Sequence, residues 1–376
     1  MSSHEAPGVY VEEVGFAPPP IAEAATSITG FIGSSARGPA GRVRRVRSWQ
    51  DYERIFGADG GELALAVRAF FDNGGSDARI VRVGRRAPPG RWRAVIEASA
   101  GCNLLALPGL RGLGEAAQAE IAAAAARHCL EHRAFLILDA PAAVSGVETA
   151  AQWSAGFALA IGTAARNVAA YWPDVLIETV DGERRISPAG AVAGVYARTD
   201  RERGVWKASA GVDAGMIGVS GVAARLSDGE MQRLVAASLN PPHHVRDSIV
   251  LWGSRTLAGP ASEWKYVPVR RLALFIENSL YEGLEWVVFE PNDVPLWAKV
   301  RLSAENFLAG LWRRQALQGI KPSEAWYVRC DETTMTQDDI DSGRLVAEIG
   351  FAALRPAEFV VIRIGLWTAD ADPDDD

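Results

Sequence analysis

Few residues in this chain have the types and spacing that chemistry requires. His128-Cys129-Leu130-Glu131-His132 follows the order H-x-x-E-H, the inverted zinc-peptidase pattern. On a helix this spacing puts both imidazoles on one face and leaves Glu131 free to act as a base. The same residues also read as a polar patch near the end of an alanine-rich helix, where histidine suits the helix dipole. No glutamate-bearing helical motif stands out downstream as a third ligand. Gly109-Leu110-Arg111-Gly112-Leu113-Gly114 lies between a strand and a helix, where a phosphate loop would sit. Its order is G-x-x-G-x-G, and the acidic residue expected of a dinucleotide fingerprint is not at its usual distance, so a flexible turn is the better reading.

Three further groups fall short. Gly218-Val219-Ser220-Gly221 is one residue short of a nucleophile elbow. His243 and His244 follow two prolines with no cysteine nearby, which reads as a surface or interface loop. Asp331, Glu332, Asp338, Asp339 and Asp341 surround a threonine-rich stretch but lack the central glycine and closing glutamate of a calcium loop. No catalytic constellation, metal site or cofactor site is assigned, and the expectation is a chain that is not an enzyme.

Elements that would position such groups alternate between strand and helix. Residues 27–34 read as a strand, 48–56 as a helix capped by Ser48 and stopped by Gly57, 62–72 as an amphipathic helix, and 78–83 as a half-buried strand. Residues 85–91, with Pro88-Pro89-Gly90, read as a linker. Strands at 103–107, 134–138, 168–172 and 175–178 then alternate with helices at 116–131 and 149–163, the pattern of crossover units and a partly parallel sheet. From Ser187 the texture changes, and glycine-punctuated segments run from Gly190 to Gly221. Helices follow at 228–237, 270–281 and 296–318, with strands at 248–252, 286–289, 325–329 and 344–351.

The two ends are distinctive. Val9, Tyr10, Val11, Glu12, Glu13 and Val14 form a strand-like run followed by Gly15-Phe16-Ala17-Pro18-Pro19-Pro20, a stiff leash without ladder donors at its prolines. Near the other end, Phe359, Val360, Val361, Ile362, Arg363 and Ile364 carry a strong strand signal, and the last seven residues include five aspartates. A leashed strand has no local partner, and its backbone groups need one. That points to self-assembly. A net charge of -7 over 376 residues argues against general nucleic-acid binding. Three dispersed cysteines support neither a disulfide framework nor a zinc cluster. Neither a signal peptide nor a bilayer span is evident, so direct membrane insertion is not expected. Many of the twelve tryptophans fall late in the chain; most should be core, but aromatic residues are also enriched at interfaces.

In order, the segments APGVYVEEV, SITGFIGSSARGPAG, FFDNGGSDARIVRV, AGAVAGVYARTDRERGVWKASAG, WKYVPVRRLALFIENSL, VVFEPNDVPLWAKVR, VRCDETTMTQDDIDSGRL and RPAEFVVIRI resemble the contractile-tail sheath proteins of phages and phage-like particles. The resemblance runs over almost the full length. It implies a mixed α/β (α+β) fold in which a sheath core, built from N- and C-terminal parts, carries an inserted α/β domain and extended terminal strand arms. The corresponding boundaries are an arm and linker at 1–20, core at 21–90, insertion at 91–185, core at 186–355, a second arm at 356–369 and an acidic tail at 370–376. It further implies stacked, sixfold rings around an inner tube, contraction that drives the tube through a target envelope, and partners comprising other copies of the chain, the tube protein, and baseplate and terminator proteins. Assembly in the bacterial cytoplasm, then residence in a virion or released particle, goes with that reading. In such sheaths the arms add strands to a small sheet of a neighbour, and the C-terminal core faces the tube. Arg313 and Arg314 are the expected tube contacts. The alternatives are a baseplate or terminator protein sharing the fold, and a zinc hydrolase built on His128, Glu131 and His132.

Overall fold

The segment TGFIG forms β1 (Thr29–Gly33) inside a six-stranded sheet in the computed structural model, which describes residues 19–356. Along the chain there follow β2 (Val43–Val46), α1 (Trp49–Phe56), α2 (Glu62–Asp72), β3 (Ala78–Arg82), α3 (Pro89–Glu97), β4 (Leu104–Ala106), α4 (Glu115–Glu131), β5 (Phe135–Asp139), α5 (Val147–Ile161) and β6 (Val168–Tyr171). The strand order is β2-β3-β1-β4-β5-β6, parallel throughout except for the antiparallel edge pair β2–β3.

Successive strand residues point to opposite faces, so one sheet builds two cores. Phe31, Ile80, Leu104, Phe135, Ile137 and Tyr171 belong to the core that includes α2, whereas Ile32, Val81, Leu105, Leu136, Leu138 and Ala170 belong to the core that includes α3, α4 and α5. Strands buried on both sides read as continuous apolar runs, which is why FLIL and LLA were legible.

This sheet crosses the expected division between residues 90 and 91. β1 pairs with β3 on one side and with β4 on the other, so core and insertion are joined by a continuous ladder. The linker expected at 85–91 is also shorter than the composition implied. Pro89 opens α3, where a missing backbone N–H costs nothing, and Trp92, Val95 and Ile96 bury that helix on the sheet.

A second, three-stranded sheet contains β7 (Val175–Thr179), β8 (Gly182–Ile186) and, after helix α6 (Ala189–Arg203), β9 (Val219–Val222), in the order β8-β7-β9. Helix α6 occupies the first part of the glycine-punctuated stretch. Its glycines allow a close helix crossing: a Cβ on Gly190 would lie 2.3 Å from the Ala66 carbonyl oxygen, and one on Gly194 would lie 2.5 Å from that of Phe70. Glycine here lets two backbones touch, an effect that outweighs its poor helix propensity.

The chain continues through α7 (Asp228–Ala236), β10 (Pro242–Val245), β11 (Ser248–Leu251), α8 (Val267–Gly283), α9 (Val294–Arg313), β12 (Trp326–Arg329) and β13 (Glu348–Phe351). Three expectations change. His243 and His244 lie in β10, paired with Val250 and Ile249, because Pro242 starts the strand where no ladder donor is needed. The apolar run at 286–289 is a 3-10 turn, Glu285–Val287, followed by Phe289 at a φ of 74° with its side chain in solvent. Helix α9 stops at Arg313 instead of residue 318, because Gln315 adopts a left-handed φ of 60°. A third core then gathers Leu272, Phe275 and Ile276 of α8 with Phe307, Leu308 and Leu311 of α9.

Candidate assembly site

Strands β12 and β13 make an antiparallel pair in the register Trp326↔Phe351, Tyr327↔Gly350, Val328↔Ile349 and Arg329↔Glu348. Alternation puts Trp326, Val328, Ile349 and Phe351 against the third core. On the opposite face, the Tyr327 hydroxyl donates to Glu348 Oε1 at 3.2 Å, and the Arg329 guanidinium lies 5.1 Å from the centre of the Tyr327 ring. Gly350 is required by that ring: a Cβ there would approach it to 2.1 Å. Among the described residues, no third strand joins this sheet. A two-stranded sheet is marginal by itself, and its outer edges present backbone donors and acceptors to any further strand.

Both ends of the described chain converge on this unit. Ile21 packs against the third core, as does Ala353 beyond β13. The Ala24 N–H donates to Ser279 Oγ on α8 at 3.0 Å, and Glu23 ion-pairs with Arg314 just past α9. Thr26 Oγ1 donates to Asp200 Oδ2 at 2.7 Å, and the Arg271 guanidinium grips the two Asp200 carboxylate oxygens at 2.9 and 2.6 Å. Arg271 and Asp200 are buried, with side chains 4% and 5% exposed. Sequence reasoning missed this cluster, because partners 71 and 174 residues apart leave no local pattern.

The strand arms, Val9 to Val14 and Phe359 to Ile364, lie outside the described residues. The expected tube contacts lie at the end of α9: Arg313 is exposed, while Arg314, besides binding Glu23, stacks over the Trp206 ring at 5.3 Å.

The other candidate groups resolve individually. In the H-x-x-E-H segment, the His128 and His132 rings stack with centroids 4.1 Å apart, and the third group beside them is Glu97 of α3, upstream of the motif. Burial, followed by the neighbouring His132, lowers the His128 pKa. The glycine loop after β4 forms a 3-10 turn, Leu110–Gly112, at the rim of a 280 Å³ cavity walled by Leu107, Leu110, Ile137, Val144, Trp153 and Phe157. Arg111 is turned to Asp174 at 2.5 Å, and the cavity wall is mostly apolar, so the loop is not a phosphate cradle. Asp139 also lines the cavity; burial pushes its carboxyl up to about 7, against the opposing pull of Arg111. Ser220 sits in strand β9, not on an elbow.

In the acidic cluster, Asp331 and Asp339 are used locally. Hydrogen bonds from Thr333 and Thr336 respectively hold the two carboxyls below their ordinary range, and Arg344 pairs with Asp339 at 2.9 Å. Cys102, Cys129 and Cys330 are buried free thiols. Among the described residues, no helix is long and apolar enough to cross a membrane.

The described residues form a doubly covered α/β body joined to a small unit on which Ile21 and Ala353 both pack. The chain aligns over 96% of its length with a subunit of the anti-feeding prophage helical sheath in its contracted state, at 32% identity and a TM-score of 0.78, covering 99% of that chain. It aligns equally fully with a chain of the anti-feeding prophage baseplate, at 31% identity and a TM-score of 0.77 over 97% of this chain and 100% of that one. Residues 94–257 match the phage tail sheath protein central domain, and residues 260–366 match the phage tail sheath C-terminal domain. The chain belongs to the phage tail sheath family. A tail sheath protein of Vibrio phage KVP40 is 27% identical over 194 residues, which are 51% of this chain but only 28% of that longer protein.

Proposed function

We propose that this chain is a structural sheath subunit that polymerises as stacked helical rings around an inner tube and contracts to drive the tube through a target envelope. The observation that carries the reading is the two-stranded β12–β13 sheet in the same unit on which both ends of the described residues pack, within a chain similar over 96% of its length to a contracted sheath subunit. The N-arm strand (Val9, Tyr10, Val11, Glu12, Glu13 and Val14) and the C-arm strand (Phe359, Val360, Val361, Ile362, Arg363 and Ile364) extend that sheet in neighbouring copies. Main-chain hydrogen bonds supply the affinity and alternate side chains set the register. Head-to-tail exchange of this kind propagates into an open helix instead of closing a dimer. Contraction moves the three-layer bodies nearly as rigid units while the arms keep neighbours tied. Exposed Tyr281, Val288, Phe289 and Val294, close together in sequence, supply apolar contact surface between copies.

Removing residues 1–20 leaves Ile21, Glu23, Ala24 and Thr26 to hold the body together. We expect a folded chain with unchanged circular dichroism and no long tubes by negative-stain microscopy. Tubes of normal length from the truncated chain would overturn strand exchange through the N-arm.

The partners on this reading are other copies, the inner tube, the baseplate and the terminator, with assembly in the bacterial cytoplasm before the particle forms. Arg313 offers its charge to the tube, while Glu23 and Trp206 already engage Arg314. Arg313→Glu is expected to weaken co-purification with the tube protein by about tenfold, as loss of an interfacial charge pair does. Unchanged recovery would remove Arg313 from that interface. The similarity to a baseplate chain favours a second reading, a baseplate component with the sheath fold; such a protein expressed alone gives rings or monomers, never hollow ridged tubes.

A further inference from the structure

We propose that Glu97, His128 and His132 form a binding site for a divalent transition-metal ion that pins the end of α3 to the end of α4. Their ligand atoms all lie within 4.8 Å of one another, and no other group of three or more such residues occurs among the described residues. His128 and His132 stand at i and i+4, so both rings leave the same face of α4, stacked at 4.1 Å and 27°. Glu97, the last residue of α3, faces them from a second element.

Two details point to a ligand instead of an ordinary polar contact. His128 is 3% exposed, and its Nδ1 has no hydrogen-bond partner in the protein. Glu97 Oε2 lies 3.6 Å away, within ion-pair range of a protonated ring but beyond hydrogen-bond reach. A buried ring nitrogen left in this way is costly unless something binds it. His132 Nδ1 lies 3.1 Å from the His128 carbonyl, an acceptor only, so that nitrogen carries the proton and Nε2 keeps its lone pair. A backbone carbonyl that fixes the tautomer of one imidazole is the usual support around a ligating histidine.

The donor set selects the ion. Two imidazoles and one carboxylate suit zinc, cobalt or nickel, whereas calcium and magnesium demand oxygen ligands throughout. Ligands around one tetrahedral zinc stand about 3.3 Å apart. Coordination therefore draws the three groups in from the spacing seen here, and the exposed Glu97 carboxylate is the freest of them to move. The role is structural. The cavity described above is walled by residues 115–122 of α4, a different part of the helix.

The test uses the full-length chain without a histidine tag, stripped with chelator and then dialysed against zinc, with metal counted per chain by elemental analysis. One zinc per chain is expected. Zinc should raise Tm by about 2–4 °C, and cobalt should give a visible d–d band. Glu97→Gln and His132→Ala, both at exposed positions, should each weaken zinc binding by at least about tenfold and abolish the Tm increment. Failure of the native chain to retain zinc overturns the site. So does unchanged binding by Glu97→Gln, which would mean a two-histidine chelate only. Either result leaves the sheath reading untouched, because metal per chain is counted whether or not the subunits polymerise.

Discussion

Arg271→Ala is expected to destabilise the chain by about 3–5 kcal/mol, the usual cost of leaving a buried charge without its partner. The guanidinium contacts both oxygens of Asp200, also donates to the Thr26 carbonyl at 3.1 Å and lies 4.7 Å from the centre of the Tyr196 ring. Truncation leaves the Asp200 carboxylate buried with a single threonine hydroxyl as its close donor. The effect should be read by urea denaturation of unassembled full-length chain. Three segments then lose their common tie: the incoming residues around Thr26, helix α6 and helix α8. A double replacement, Arg271→Met with Asp200→Leu, removes both charges and should recover most of the loss, because the penalty lies in the unpaired partner. A loss below about 1 kcal/mol for Arg271→Ala would show that the pair is not desolvated in solution.

Gly190→Val should be similarly damaging, at about 3 kcal/mol or more. A Cβ at this position would meet the Ala66 carbonyl oxygen at 2.3 Å and the Ala66 Cα at 2.6 Å, and both atoms belong to the backbone of α2. No rotamer change relieves such a contact, so α2 and α6 must separate, and the tightly packed core between them opens. Gly156→Val provides the control. It also lies within a helix, but a Cβ there meets nothing within 4 Å, so only the smaller propensity terms change. Thermal melts of the two variants should differ by several degrees, and matching melts would exclude a close α2–α6 crossing.

The contrast between these glycines shows where sequence reading succeeds and where it stops. Helix α1 was legible because its boundary chemistry is local. Ser48 Oγ accepts the Asp51 N–H at 3.1 Å, and Gly57 ends the helix at a φ of 82°. The strands buried on both faces were legible from unbroken apolar runs. Helix α6 was not, because the same glycines that mark turns elsewhere here mark contact with an element more than 100 residues away. Pro-Pro-His-His concealed β10 in the same manner, and the run at 286–289 had strand composition without a strand partner. At the candidate site, the terminal strand signals were local, but they lie outside the described residues. The residues that anchor the chain ends, Glu23, Asp200, Arg271, Ser279 and Arg314, are brought together only by tertiary packing. Glu97 carries no local signal for a related reason: it ends helix α3, a separate element upstream of the H-x-x-E-H segment, and only tertiary packing brings it to the histidines.

The meeting of residues 21 and 353 on one small unit has a mechanical consequence. Ile21 and Ala353 both pack against the third core, so tension applied at residues 21 and 353 is taken up first by α8 and α9. The larger α/β body rides on that cable as a passenger, attached to it through Val267 and Leu274 of α8. Mass can be added to a passenger without lengthening or weakening the cable. The turn between β7 and β8, where the Val180 side chain stands fully in solvent, is a natural place to hang it.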